Sequence, residues 1–197
     1  MKSILISIKP KWCELIASGK KTIEVRKTKP KCDTPFKCYI YCTLSELLTR
    51  SHYNSKIYVA TNKKYQNELE RVGNTTLSGK VIGEFICDRI IDIDCDSVAP
   101  FDKALDLYID KQCCLTRDEF FAYTQGRCAF GFHISYLIIY DKPRELSDFR
   151  KPCIYGEESD VSCFLCDKSG YRPDMHIDCF NEVTTPPQSW CYVEESK

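Results

Sequence analysis

Residues 3–27 read SILISIKPKWCELIASGKKTIEVRK. Ile4, Ile6 and Ile8 alternate with Ser3, Leu5, Ser7 and Lys9, the two-residue period of a strand. Pro10 stops that strand and suits the first turn of a helix. Trp12, Leu15 and Ile16 follow at helical spacing up to Gly19, a residue suited to the left-handed stop of a helix. From Lys21 to Lys27 the alternation returns, with Ile23 and Val25 on one face and Thr22, Glu24 and Arg26 on the other. The stretch predicts strand, short helix, strand, with Glu24 and Arg26 sharing a face of the second strand.

The same test predicts further strands at 38–43, 56–61, 80–94, 130–140 and 189–195. Helices are expected at 63–73, which ends on Gly73, at the amphipathic 101–111, and at 116–126, where Thr116 and Glu119 have the spacing of a capping box. No internal repeat or low-complexity tract interrupts this order. About seven strands with few helices predict an α+β protein, a small β-barrel with peripheral helices, in place of alternating βαβ units.

A chain of 197 residues with 43% hydrophobic content can bury one real core. MKSILISIKP is apolar over too few residues for a secretory signal, and no run approaches the roughly 18 apolar residues of a membrane span. A cytoplasmic protein without membrane contact is expected, and its 14 cysteines are then read as reduced thiols, some bound to metal. The formal net charge is zero, but it is polarised along the chain. Residues 1–38 carry ten Lys or Arg against three acids, residues 39–153 fifteen against sixteen, and residues 154–197 three against nine. A neutral protein with such a basic end can still present a local positive surface to phosphate.

Gly19, Lys21, Glu24 and Arg26 fit the pattern G-x-K-x-x-E-x-R, and on it the chain resembles the ASCH domain, a PUA-like β-barrel family associated with RNA. SIKPKWCELIASGKKTIEVRK, the later GKVIGEF and the closing PPQSWCYVEE resemble a subgroup common in phages and Firmicutes. The resemblance covers residues 1 to about 150 and resumes at about 184. It implies a cleft beside the first helix with Lys21, Glu24 and Arg26 near its floor, and RNA or a nucleotide as partner. The chemistry of the residues suits that placement. A lysine ammonium reaches a phosphate or carbonyl oxygen, an arginine fork pairs with phosphate or stacks on a base, and a glutamate orients either cation or accepts from a base amino group. The candidate ligand-binding residues are Lys20, Lys21, Thr22, Glu24, Arg26 and Trp12, the last as a stacking platform or as helix packing. The competing reading is a structural ion pair of Glu24 with Arg26 or Lys21. His133 in its strand reads as a structural histidine, and His52 lies in a polar loop.

Some small ASCH proteins that this chain resembles hydrolyse N4-acetylcytidine with a Lys, Thr and Glu triad. Lys21 matches their lysine, the position of their threonine holds Glu24, and their glutamate falls at Cys113 or Cys114. An enzyme built here would have to use Lys21, Thr22 and Glu24, with Thr22 displaced by two residues, about 7 Å along a strand. Hydrolysis of a modified nucleoside, or ribonuclease activity, is therefore the alternative to a binding module.

After residue 152 the composition changes. Cys163 and Cys166 form a C-x-x-C knuckle, Cys179 follows with twelve residues between, and Cys153 precedes with nine between. His176 competes with Cys153 as fourth ligand, in H-x-x-C spacing with Cys179. Cys153, Cys163, Cys166 and Cys179 are the preferred set for a structural Zn²⁺, ordering a segment too poor in apolar residues to fold alone. Cys38 and Cys42, by contrast, lie in a strand and read as core. The expected organisation is an ASCH barrel over 1–152, a zinc-loop insertion over 153–183 and a strand returning to the barrel over 184–197.

Overall fold

The computed structural model describes residues 2–60, 66–93, 109–152 and 182–195. Its centre is a six-stranded mixed sheet built from β1 (Ser3–Ile8), β2 (Ile23–Arg26), β3 (Phe36–Cys42), β7 (Val81–Ile93), β8 (Ala129–Arg144) and β10 (Trp190–Tyr192). The strands lie in the order β10-β1-β3-β7-β8-β2. β1 and β3 run parallel, Ile4 opposite Cys38 and Ile8 opposite Cys42. The other pairs of this sheet are antiparallel. A three-stranded sheet, with β4 (Leu47–Arg50) between β5 (Ile57–Ala60) and β6 (Thr75–Thr76), and a two-stranded one, β9 (Phe149–Arg150) with β11 (Glu194–Glu195), complete the strands. Helices are α1 (Pro10–Ala17), α2 (Gln66–Arg71) and α3 (Arg117–Thr124). The architecture is α+β, a curled sheet forming a half-barrel with helices at its periphery.

The opening stretch folds as its periodicity predicts, with two differences. Gly19 takes φ +73 just beyond α1, the left-handed stop expected of it. Strand β2, however, begins at Ile23, because the Thr22 and Ile23 amides both turn to the Gln112 carbonyl at 3.0 Å. β1 is buried on both faces: Ile4, Ile6 and Ile8 join the main core with Ile40, Phe85 and Phe132, while Leu5 joins a second cluster with Tyr39, Phe149 and Val193. Alternation foresees only the first of these faces, since residues from the far end of the chain cover the second. A third cluster under α3 gathers Ile23, Val25, Ile109, Leu115 and Phe120.

The sheet curls because its longest pair is irregular. β7 and β8 lose register three times, between Val81 and Gly83, Glu84 and Ile86, and Cys87 and Ile90, and each irregularity bends the ribbon. The curl brings the two edge strands toward each other. Arg26 on β2 donates to the Ser7 carbonyl of β1 at 2.7 Å, and the Trp190 indole of β10 donates to Thr28 Oγ1 at 3.1 Å. Side-chain hydrogen bonds from Arg26 and Trp190 thus bridge a seam at which the two edge strands are not paired with each other.

The capping box predicted for α3 is present: Glu119 N donates to Thr116 Oγ1 and Thr116 N to Glu119 Oε2. Strands β4, β6 and β9 are additional to the predicted ones, being two to four residues long and too short to show a period. Most of the helix expected at 101–111 lies outside the described residues, as does all of 153–181, where Cys153, Cys163, Cys166, His176 and Cys179 are expected to supply a zinc site.

Candidate functional site

Lys21, Glu24 and Arg26 come together at the floor of a cleft of about 680 Å³. The cleft opens between α1, α3 and the seam. Trp12 stands on the α1 side, Leu115 and Tyr123 on the α3 side, and Ser7 and Ser189 on the seam. Its size is that of a pocket for a small molecule or one nucleotide, within the roughly 300–1,000 Å³ typical of such sites.

The three floor residues are buried, their side chains 2%, 7% and 8% exposed in chain order. Glu24 Oε1 receives Arg26 Nη2 at 2.9 Å, and Glu24 Oε2 lies 3.5 Å from Lys21 Nζ. Lys21 Nζ also donates to the Cys113 carbonyl at 2.6 Å, and Arg26 Nη1 reaches the Ser189 carbonyl at 3.5 Å. One carboxylate therefore sits between two cations. Two polar atoms in this buried group have no hydrogen-bond partner, Glu24 Oε2 and Arg26 Nε. The 3.5 Å approach of Lys21 to Oε2 is an ion-pair distance without a hydrogen bond. A buried donor and a buried acceptor left open cost free energy unless something enters to meet them.

Around this floor the lining adds Lys9 and Lys27 against Glu119, so four cations face two carboxylates and leave a formal excess of two. Glu119 is tied to Lys11 at 2.9 Å, and the hydrogen bond from Lys11 holds its carboxyl below the usual range. Aromatic rings accompany the cations: Lys21 Nζ lies 5.2 Å from the Trp12 ring centre and Lys27 Nζ 5.0 Å from that of Tyr123. Positive charge beside aromatic faces is the combination that binds nucleotides.

The remaining sequence candidates fall elsewhere. Lys20 is exposed and Thr22 half-buried, and neither lines the cleft. Lys21 is at the floor as expected, within 3.5 Å of Glu24 three residues on, whereas Thr22, which precedes the start of β2 at Ile23, is not. Of Cys113 and Cys114, Cys113 gives its backbone carbonyl to Lys21, while burial pushes its thiol up to about 12. His133 pairs with Asp88 at 2.6 Å, on the strand next to β2 and not in the cleft lining. Tyr123, Ser7 and Ser189 join the site unforeseen. Tyr123 lies in the predicted helix at 116–126, but which helix face would meet β2 is not a local property.

No family model matches the sequence, and no curated protein matches it either. Solved structures do. Crystal structures of an ASCH protein from Zymomonas mobilis superpose with TM-scores of 0.53 to 0.54 at 16% to 18% identity. The match spans 98% to 100% of this chain and 88% to 93% of that one. The fold is that of the ASCH domain. In this ASCH fold the cleft and its buried triad lie where the sheet edges meet, and none of the helices among the described residues is long and apolar enough to cross a membrane. The described residues hold no cluster of His, Cys, Asp or Glu suited to a metal.

Proposed function

We propose that the protein is an RNA- or nucleotide-binding module and that the cleft over Lys21, Glu24 and Arg26 receives the ligand. The observation that carries this reading is the floor itself: a buried two-to-one arrangement of cations and carboxylate with Glu24 Oε2 and Arg26 Nε unsatisfied. A purely structural ion pair would be expected to complete its hydrogen bonds within the protein. Lys9 and Lys27 at the rim, both exposed, supply the local charge that a phosphate needs on a protein of zero net charge. The spacing of Cys153, Cys163, Cys166 and Cys179, with His176 as the alternative fourth ligand, supports a structural zinc in addition.

The test is fluorescence anisotropy with single-stranded RNA and with nucleoside monophosphates at several salt concentrations. Binding should be weak, with a salt slope reflecting only a few ionic contacts, and Lys27→Ala should reduce that slope by about one. Lys21→Met should weaken binding in a protein whose melting is measured alongside. Equal affinity in wild type and both variants would remove the cleft from RNA binding.

A further inference from the structure

The basic N-terminal part of the chain forms a second opening beside the cleft. Lys2, Pro30, Lys31, Cys32 and Asp33 line a groove of about 530 Å³ at the start of β1, with two lysines against one acid. The cleft lies at the other end of the same strand, where Ser7, Ile8 and Lys9 line it. Two segments run from one opening to the other. β10 pairs antiparallel with β1, Trp190 opposite Ile6 and Tyr192 opposite Ile4, so it leads from Ser189 in the cleft lining toward Lys2. Residues 27–33 take the same course: Lys27 and Thr28 line the cleft, and Pro30 to Asp33 line the groove. From Thr28 to Pro30 the chain reaches at most about 7 Å, so the openings adjoin. Side chains tie this segment to β10 along its length. The Trp190 indole donates to Thr28 Oγ1 at 3.1 Å, and the Tyr192 hydroxyl meets the Lys31 amide and the Cys32 thiol.

Most of the positive charge along this course is left without a carboxylate. Lys29 is held by Asp92 at 3.0 Å and lies over the Phe130 ring. Lys2, Lys27 and Lys31 are exposed, and none of them forms an ion pair among the described residues. Between the two openings stand the half-buried rings of Trp190 and Tyr192, edge to face at 5.5 Å. Ammonium groups spaced along a path with aromatic rings suit a chain of phosphates and bases better than a single anion, which meets only one end of the path. Resting on the RNA-binding reading of the cleft, we infer that the ligand is a single strand of several nucleotides and that the Lys2–Lys31 groove is a second subsite for its backbone. The strand leaves the cleft at Lys27, crosses beside Trp190 and Tyr192, and brings its next phosphates to Lys31 and Lys2. Lysines meet phosphate as point charges and read no base, so this subsite adds affinity and salt dependence without sequence preference.

Two probes separate the subsites on the intact chain: UMP, which fills the cleft alone, and an end-labelled octauridylate, long enough to reach both. Isothermal titration measures the first and fluorescence anisotropy the second, each at several salt concentrations. The octamer should bind tighter than UMP and with a steeper salt dependence, by about 0.7 for each added phosphate contact and so about 1.4 for Lys2 and Lys31 together. The double variant Lys2→Ala, Lys31→Ala should lose that increment and about threefold in octamer affinity for each lysine, while its affinity for UMP stays that of the wild type. Both side chains are exposed, so the variant should melt with the wild type. Octamer binding no tighter than that of UMP, or a double variant that keeps the wild-type octamer affinity and salt slope, or one that loses UMP as well, overturns the second subsite and leaves the cleft reading standing. A wild-type protein that binds neither probe overturns both.

Discussion

Arg26 connects three parts of the molecule: Glu24 on its own strand at 2.9 Å, the Ser7 carbonyl at 2.7 Å and the Ser189 carbonyl at 3.5 Å. A side chain so placed is structural and site-forming together, because an ionic group buried at a seam cannot be removed without stranding its partner. Arg26→Ala leaves Glu24 buried with only Lys21 at 3.5 Å, a loss of about 3–5 kcal/mol for a broken buried pair. For a chain of this size the melting temperature should fall by about 10 °C. Calorimetry showing no change would place the pair with exposed ones, worth roughly 0–1 kcal/mol. The thiols make a second prediction at this scale. Burial pushes Cys87 and Cys113 to about 12, from the ordinary 9.0, and Cys13 and Cys38 upward as well. The folded protein holds these protons more tightly than the unfolded chain does. Their contribution to stability is therefore full below pH 9 and is lost as pH rises toward 12. Urea midpoints should fall across that alkaline window and respond little to these thiols at neutral pH.

Among the elements, β7 and β8 contrast with α1 in what a glycine does. Gly83, within GKVIGEF, lies where β8 crosses closely: a Cβ there would stand 2.3 Å from the Ile138 carbonyl oxygen. Gly19 has φ +73 and nothing within 4 Å of its would-be Cβ. Gly83→Ala must push two paired strands apart, costing about 1–3 kcal/mol or more, whereas Gly19→Ala meets only backbone strain of about 1–2 kcal/mol. Chemical denaturation should rank Gly83→Ala as the more destabilising. The reverse order would mean that the register shift between Val81 and Gly83 absorbs the added methyl. The α3 capping box acts on an element in the same way, since it sets where the helix starts and hence where Tyr123 enters the cleft wall.

At the scale of the whole molecule, the C-terminal residues complete the sheet. Trp190 to Tyr192 pair with Ile6 to Ile4, Val193 joins the cluster of Leu5 and Tyr39, and Glu182 bridges to Arg150. Arg150 and Glu182, which flank residues 153–181 in the chain, are bridged to each other, so a zinc held by Cys153, Cys163, Cys166 and Cys179 would lie between two points the sheet already anchors. Native mass spectrometry should find one zinc per chain. Chelation should release it and expose 153–181 to protease while the rest stays folded, because a segment with ligands and little apolar surface depends on its metal. Protein purified without chelator and free of zinc would end that proposal.

What the sequence determined by itself is local. The period of Ile4, Ile6 and Ile8, the stop at Gly19, the capping pair Thr116 and Glu119, and the motif at Lys21, Glu24 and Arg26 depend on neighbours a few residues apart, and all were legible. The tertiary structure alone decided what those residues meet. Lys21 finds its carbonyl 92 residues away at Cys113, and Arg26 finds one 163 residues away at Ser189. Periodicity carries no information about such contacts, since it reports which face a side chain takes and not what closes over that face. Burial of the triad and the unmatched atoms on Glu24 and Arg26 follow from the curl of the sheet. That curl is set by register shifts between β7 and β8 that no single strand's pattern shows.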